Sequence, residues 1–301
     1  MDNGQTNSNG VVANGIGEDS LDPATPWLQY IVDSVQRRQP VPTARMPVDR
    51  NAVYYNMNHR RRGLAILFNH EHFDGHQNLK ARSGTNVDLD NLKECLAELG
   101  FEIWSFHDRT SAQVSEIINK ANVEDHADRD CLVVAVLTHG EHGILYTKDS
   151  AIKPESLWTP FSADKCPSLA GKPKLFFIQA CQGDKLDAGA LLTRTETDSG
   201  SQSYKIPVHA DFLIAYSTIP GYYSWRNTTR GSWFMQALCQ EIKENGYLLD
   251  LLTILTFVNQ RVALDYESNT PDNPVMHQQK QIPCITYMLT RLVKFTRKPN
   301  A

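Results

Sequence analysis

From Gly63 onward, short apolar runs alternate with amphipathic stretches. Residues 64–68 are apolar at every position and predict a buried strand. Residues 86–99 place Val87, Leu89, Leu92, Leu96 and Leu99 at helical spacing, and Gly100 follows as a stop. The alternation continues with a strand over 101–106, a helix over 111–121, a strand over 131–137 and another over 175–178. It resumes later with a strand over 212–216, helices over 232–244 and 249–266, and a last strand over 284–289. Strands without a polar face, separated by helices, predict an α/β domain: a mainly parallel sheet of about six strands, covered on both faces.

Three regions break this pattern. Residues 1–26 are rich in Asn and Gly and are expected to be disordered, too few to form a recruitment domain. Residues 27–62, with Pro40, Pro42 and Pro47 and the basic cluster His59-Arg60-Arg61-Arg62, read as an extended lead-in. Residues 183–206 carry no periodicity and many small or charged side chains. A loop that long inside a compact domain is usually functional, and we expect it to be a flexible linker.

Composition narrows the field by exclusion. The chain has 301 residues, 41% hydrophobic and 21% charged, with a net charge of −4, which gives no reason to expect nucleic acid or an anionic membrane as a partner. The apolar runs are too short to span a bilayer, and the first residues have neither a basic nor an apolar signal region. The six cysteines are scattered without a CxxC pair, so free thiols in a cytoplasmic setting are expected.

The candidate chemistry lies at two strand ends. One apolar strand runs into Gln179-Ala180-Cys181-Gln182-Gly183, another into Thr138-His139-Gly140. In open parallel sheets, reactive groups gather at the carboxyl ends of strands. A cysteine attacks carbonyls as its thiolate, and an imidazole can take and return the proton. Gly140 has no Cβ, so its N–H and that of Cys181 suit an oxyanion. The plainer alternatives stay open here. A lone cysteine at a strand end is commonly a small core residue, and His142 rivals His139.

At this point the sequence resembles a family. QACQG at 179–183, LTHGEHG at 137–143, RSGTNVD at 82–88, ETDSG at 196–200, GYYSWRN at 221–227, GSWF at 231–234 and KQIPC at 280–284 together resemble the caspases, closest to the insect executioner branch. The resemblance implies the three-layer α/β/α caspase-like fold and a cysteine endopeptidase that cuts after aspartate in apoptosis, needing no cofactor or metal. It implies Cys181 as nucleophile, His139 as acid–base, and Gly140 with Cys181 as oxyanion hole. Arg82, Gln179 and Arg226 then bind the substrate aspartate. Tyr223, Ser224 and Trp225 would wall the next subsite, and Asn227 and Trp233 would contact residues further from the cut. An aromatic of the vertebrate pattern is missing near Met276, within 269–279.

The resemblance further implies a zymogen. Cleavage after Asp198 would divide a large subunit, 27–198, from a small one, 199–301. Removal of the propeptide is expected after Asp19, because Asp22 precedes Pro23; Asp187 is a further candidate. It also implies a homodimer of cleaved pairs joined along the last strand, an upstream initiator caspase, protein substrates with exposed aspartates, and inhibitors of the inhibitor-of-apoptosis type. Three rival readings remain: metal binding through His70 and His72 with Asp74 and His76 nearby, a catalytically inactive caspase-like binding protein, and a related protease of basic or Asn specificity.

Overall fold

The structure is a computed structural model that describes residues 47–74, 78–188 and 208–298. The expectations for 1–26, Asp19, His76 and Asp198 lie outside the described residues, as does most of the 183–206 linker.

Among the described residues, six strands form the central sheet: β1 (Arg61–Asn69), β2 (Glu102–His107), β3 (Arg129–Leu137), β7 (Lys174–Gln179), β8 (Phe212–Tyr216) and β11 (Cys284–Tyr287). Their spatial order is β11-β8-β7-β3-β1-β2. β1, β2, β3, β7 and β8 run parallel, and β11 is an antiparallel edge on β8. The mainly parallel, six-stranded reading of the sequence is what the fold contains.

Alternate strand residues enter two separate cores. Ala65, Leu67, Val133, Ala135, Leu175 and Phe177 face helices α1 (Thr85–Glu98), α4 (Trp233–Asn245) and α5 (Leu251–Asp265). Leu64, Ile66, Leu132, Val134, Phe176 and Ile178 face α2 (Ser111–Asn122) and the short α3 (Glu155–Trp158) side. Both faces are dry, which is why these strands read as continuous apolar runs. Truncating one of these leucine, isoleucine or phenylalanine side chains to alanine costs about 2–5 kcal/mol.

The helix boundaries have local causes. Gly100 stops α1 at φ 87°, a left-handed conformation that suits glycine, and its N–H closes on the carbonyl of Ala97 at 2.8 Å. Thr110 and Gln113 form a reciprocal capping box at α2. The Asp250 carboxylate accepts from the N–H groups of Leu252 and Thr253 at the start of α5. No helix among the described residues is long and apolar enough to cross a membrane.

The fold corrects the lead-in. Arg61 and Arg62 belong to β1, and Arg62 is buried, its guanidinium 2.7 Å from Asp130. Tyr55 and Met57 enter the core, and Tyr55 N–H donates to the carbonyl of Leu292 at 3.0 Å. Two small sheets have no counterpart in the sequence reading. They are β4–β5–β6 (Gly140–Glu141, Ile144–Tyr146, Ala151–Ile152) and the hairpin of β9 (Arg226–Asn227) with β10 (Gly231–Ser232). The first residues of the expected linker are held in place. Lys185 bridges to Tyr222, and Lys280 N–H donates to the carbonyl of Asp187 at 2.8 Å.

Candidate active site

Strands β3 and β7 pair in parallel, with Leu137 opposite Gln179. His139 and Cys181 each lie two residues beyond that rung. Both line one cavity of about 150 Å³, together with Arg82, Gln179, Tyr223, Ser224, Trp225 and Arg226. Its other lining residues are Thr138 and Ala180. Larger clefts occur elsewhere on the surface, but none collects a thiol, an imidazole and two guanidinium groups.

The imidazole is oriented from behind. Its Nε2 lies 2.7 Å from the carbonyl of Lys80, which can only accept, so Nε2 carries the proton and Nδ1 is the basic nitrogen. The Phe73 ring packs 5.0 Å from the imidazole. Burial holds the imidazole below its ordinary pKa of 6.5, helped by the positive fields of Arg82 and Arg226 and opposed by the Lys80 carbonyl. Burial also raises the Cys181 thiol, against the Ser224 backbone and the two arginines. Both shifts favour neutral forms, a thiol and a free imidazole at rest.

The thiol packs on the loop before β9, with Ser224 N–H 3.4 Å from Sγ. Gly140 sits behind it. A Cβ there would lie 2.7 Å from the Cys181 carbonyl oxygen and 2.9 Å from the Ala180 Cβ, so only glycine fits. The N–H of Cys181 donates to no group among the described residues.

On the other wall, Arg82 is 1% exposed, its Nη1 donating to Thr85 Oγ1 at 2.6 Å and to the His70 carbonyl at 3.2 Å. Burial and the neighbouring Arg226 push its guanidinium down to about 9, still charged at neutral pH. Arg226 reaches across with its Nε donating to the Ser83 carbonyl at 3.0 Å. Gln179 is 2% exposed; one end of its amide meets Ser224 Oγ at 2.8 Å, and the other end has no partner among the described residues. A carboxylate in the cavity selects the orientation with the NH2 inward.

Not every expected residue reaches the cavity. Trp233 is 7% exposed, stacked between Trp225 (5.6 Å) and Tyr266 (5.6 Å). Asn227 spends its Oδ1 on the turn, accepting from the N–H groups of Thr229 and Arg230. His70 and His72 diverge. His70 is buried beside Phe73, whereas His72 is exposed on Asp108. Reasoning from sequence passed over Lys80, whose carbonyl acts through the backbone and leaves no signature. It also passed over Gln281, whose Oε1 accepts from Trp225 N–H at 2.6 Å.

A thiol and a basic imidazole at adjoining strand ends, beside two guanidinium groups, define a cysteine hydrolase for acidic substrates. Residues 62–294 match the family described as Caspase domain. The chain is 66% identical over 263 residues to Caspase-1 of Spodoptera frugiperda, covering 87% of this chain and 88% of that protein. It is 58% identical to Caspase drICE of Drosophila melanogaster, covering 86% and 77%. The crystal structure of Caspase-1 from Spodoptera frugiperda aligns with a TM-score of 0.81 at 63% identity, over 86% of this chain and all of that one. The chain belongs to the caspase family, in its executioner branch, and is an aspartate-specific cysteine protease of apoptosis.

Proposed function

We propose that Cys181 is the nucleophile of this protease, that His139 is its acid–base, and that Arg82, Arg226 and Gln179 hold the substrate aspartate. The shared register of β3 and β7 carries this reading, because it brings the two reactive side chains to one cavity from one rung. The forked donors of the two arginines pair with both carboxylate oxygens, and the Gln179 amide adds a neutral donor.

Nδ1 of His139 takes the Sγ proton as the thiolate attacks the carbonyl carbon after the aspartate. The N–H groups of Gly140 and Cys181 receive the oxyanion. The imidazolium then protonates the departing amine, leaving a thioester on Cys181. Water, deprotonated by His139, hydrolyses that thioester and restores the thiol. Glutamate, longer by one methylene, carries its carbonyl out of reach of Sγ. The positive wall repels basic substrates, which disfavours the reading of basic specificity. A thiol and a correctly held imidazole on one cavity likewise disfavour an inert binding protein.

Tyr223, Ser224 and Trp225 border the next subsite, with Asn227 and Trp233 supporting more distant ones. Cleavage after Asp198 divides large and small subunits, and Asp19 is the propeptide site. The exposed Tyr287 on the edge strand β11, and Met288 just after it, support pairing with a second copy. Cytoplasmic residence, activation by an initiator caspase and restraint by inhibitor-of-apoptosis-type proteins complete this reading. Fluorogenic tetrapeptides differing only in the last residue test it on wild type and Cys181→Ala. Cleavage is expected after Asp alone and only with Cys181 present. Equal cleavage after Glu, or activity in the variant, overturns it.

A further inference from the structure

The segment that carries Arg82 and the hairpin that carries Arg226 touch at three points. Arg226 Nε donates to the Ser83 carbonyl. Gly84 lies so close that a Cβ there would be 2.7 Å from the Thr228 carbonyl oxygen. Asp88, in the first turn of α1, places its carboxylate on Ser232. Oδ1 accepts from Ser232 N–H at 2.7 Å, and Oδ2 accepts from Ser232 Oγ at 2.6 Å.

This third contact has an unusual cost. Asp88 is buried, and burial raises its carboxyl above the ordinary value. α1 has Gly84 at its N-cap and no side-chain cap. Gly231 must also stay bare, since a Cβ there would lie 2.3 Å from Asp88 Oδ1. In the β9–β10 hairpin, Ser232 is the direct cross-strand partner of Arg226. Fixing Ser232 therefore fixes the strand from which Arg226 extends. The same carboxylate favours the charged state of Arg82, whose field and that of Arg226 in turn favour its ionised form.

We propose that Asp88 is a positioning residue for substrate aspartate: through Ser232 it sets the β9–β10 hairpin so that Arg226 faces Arg82 across the cavity. It touches no substrate. It acts on the grip and leaves Cys181 and His139, which stand just beyond the ends of β7 and β3, where they are. The inference rests on the assignment of Arg82 and Arg226 to the aspartate pocket.

The test compares Asp88→Ala, Asp88→Asn and Ser232→Ala on a fluorogenic tetrapeptide ending in aspartate, with active sites counted by a covalent aspartyl ketone. Asn retains an oxygen for the Ser232 N–H and can donate to its hydroxyl. Asp88→Ala is expected to raise KM at least ~10-fold with kcat within ~3-fold, Ser232→Ala to raise KM ~3-fold, and Asp88→Asn to restore KM to within ~3-fold of wild type. If Asp88→Ala does not fold, the other two variants decide. Unchanged KM in Ser232→Ala, or a fall in kcat per active site at unchanged KM, overturns the proposal. So does an Asp88→Asn variant in which KM is not restored. Arg226→Ala separates the two levels. If it raises KM while the Asp88 and Ser232 variants do not, only the positioning role fails; if it leaves KM unchanged, the pocket assignment itself fails.

Discussion

The Gln179 side-chain amide and Ser224 Oγ meet at 2.8 Å, tying the end of β7 to the loop that leads into β9. The strand that presents Cys181 and the segment that presents Arg226 thus share a buried amide. Gln179→Glu replaces it with a second carboxylate facing the substrate's own. Like charges in a closed cavity cost several kcal/mol, so kcat/KM should fall at least ~100-fold. The melting temperature should hold, because Arg82 and Arg226 line the same cavity. Steady-state kinetics with thermal unfolding check both halves.

Gly140→Ala forces a methyl against the Cys181 carbonyl and the Ala180 Cβ. The chain must part there, moving His139 away from Cys181. A shift of about 1 Å in reacting groups costs on the order of 10²-fold in rate. We expect kcat to fall by about that factor with KM little changed. A variant of wild-type kcat would show that the contact relaxes elsewhere.

The acid limb of kcat/KM should lie below pH 6.5, the ordinary imidazole value. Burial and the two arginines lower the His139 pKa, so the working neutral ring persists further into acid. A limb centred above 6.5 would contradict the neutral-pair ground state.

Stability has a second acid-sensitive group. His70 is 1% exposed, and burial lowers its pKa to about 4. The unfolded chain binds its proton near 6.5, so stability is full above 6.5 and falls as pH drops towards 4. The loss is about 3 kcal/mol across that window. His70→Phe should flatten this dependence, read as urea midpoints at pH 7.5 and 5.

Met288, exposed just beyond β11, is held by its backbone. Its N–H donates to the Phe212 carbonyl at 2.7 Å, and its own carbonyl accepts from Asp211 N–H at 2.8 Å. Met288→Asp therefore leaves the fold intact and adds charge where a second copy would pair. Sedimentation at micromolar concentration should show a shift to monomer; an unchanged dimer would place the interface elsewhere.

The four central strands, β1, β3, β7 and β8, were legible because both of their faces are buried. Their apolar runs stood out, and the helix read at 86–99 is observed at Thr85–Glu98. What escaped notice was short or distant. Two-residue strands such as β9 and β10 have no period to detect. Arg61 and Arg62 read as part of an extended lead-in because the carboxylates that neutralise them, Asp128 and Asp130, lie 67 and 68 residues downstream. At the site, the two strand ends suggested Cys181 and His139 on physical grounds. Arg82 and Arg226 had only the family resemblance to single them out, and both line the cavity. The Lys80 and Ser83 carbonyls are backbone groups that any side chain would supply.

The cavity draws its parts from both sides of residues 189–207. Arg82, His139, Gln179 and Cys181 precede that span, whereas Tyr223, Trp225 and Arg226 follow it. A break anywhere within it leaves the reactive pair intact on one polypeptide and gives the other piece one of the two cationic jaws. Whatever governs how those pieces register against each other therefore governs which peptides are captured, while the thiol and the imidazole stay together on the first piece.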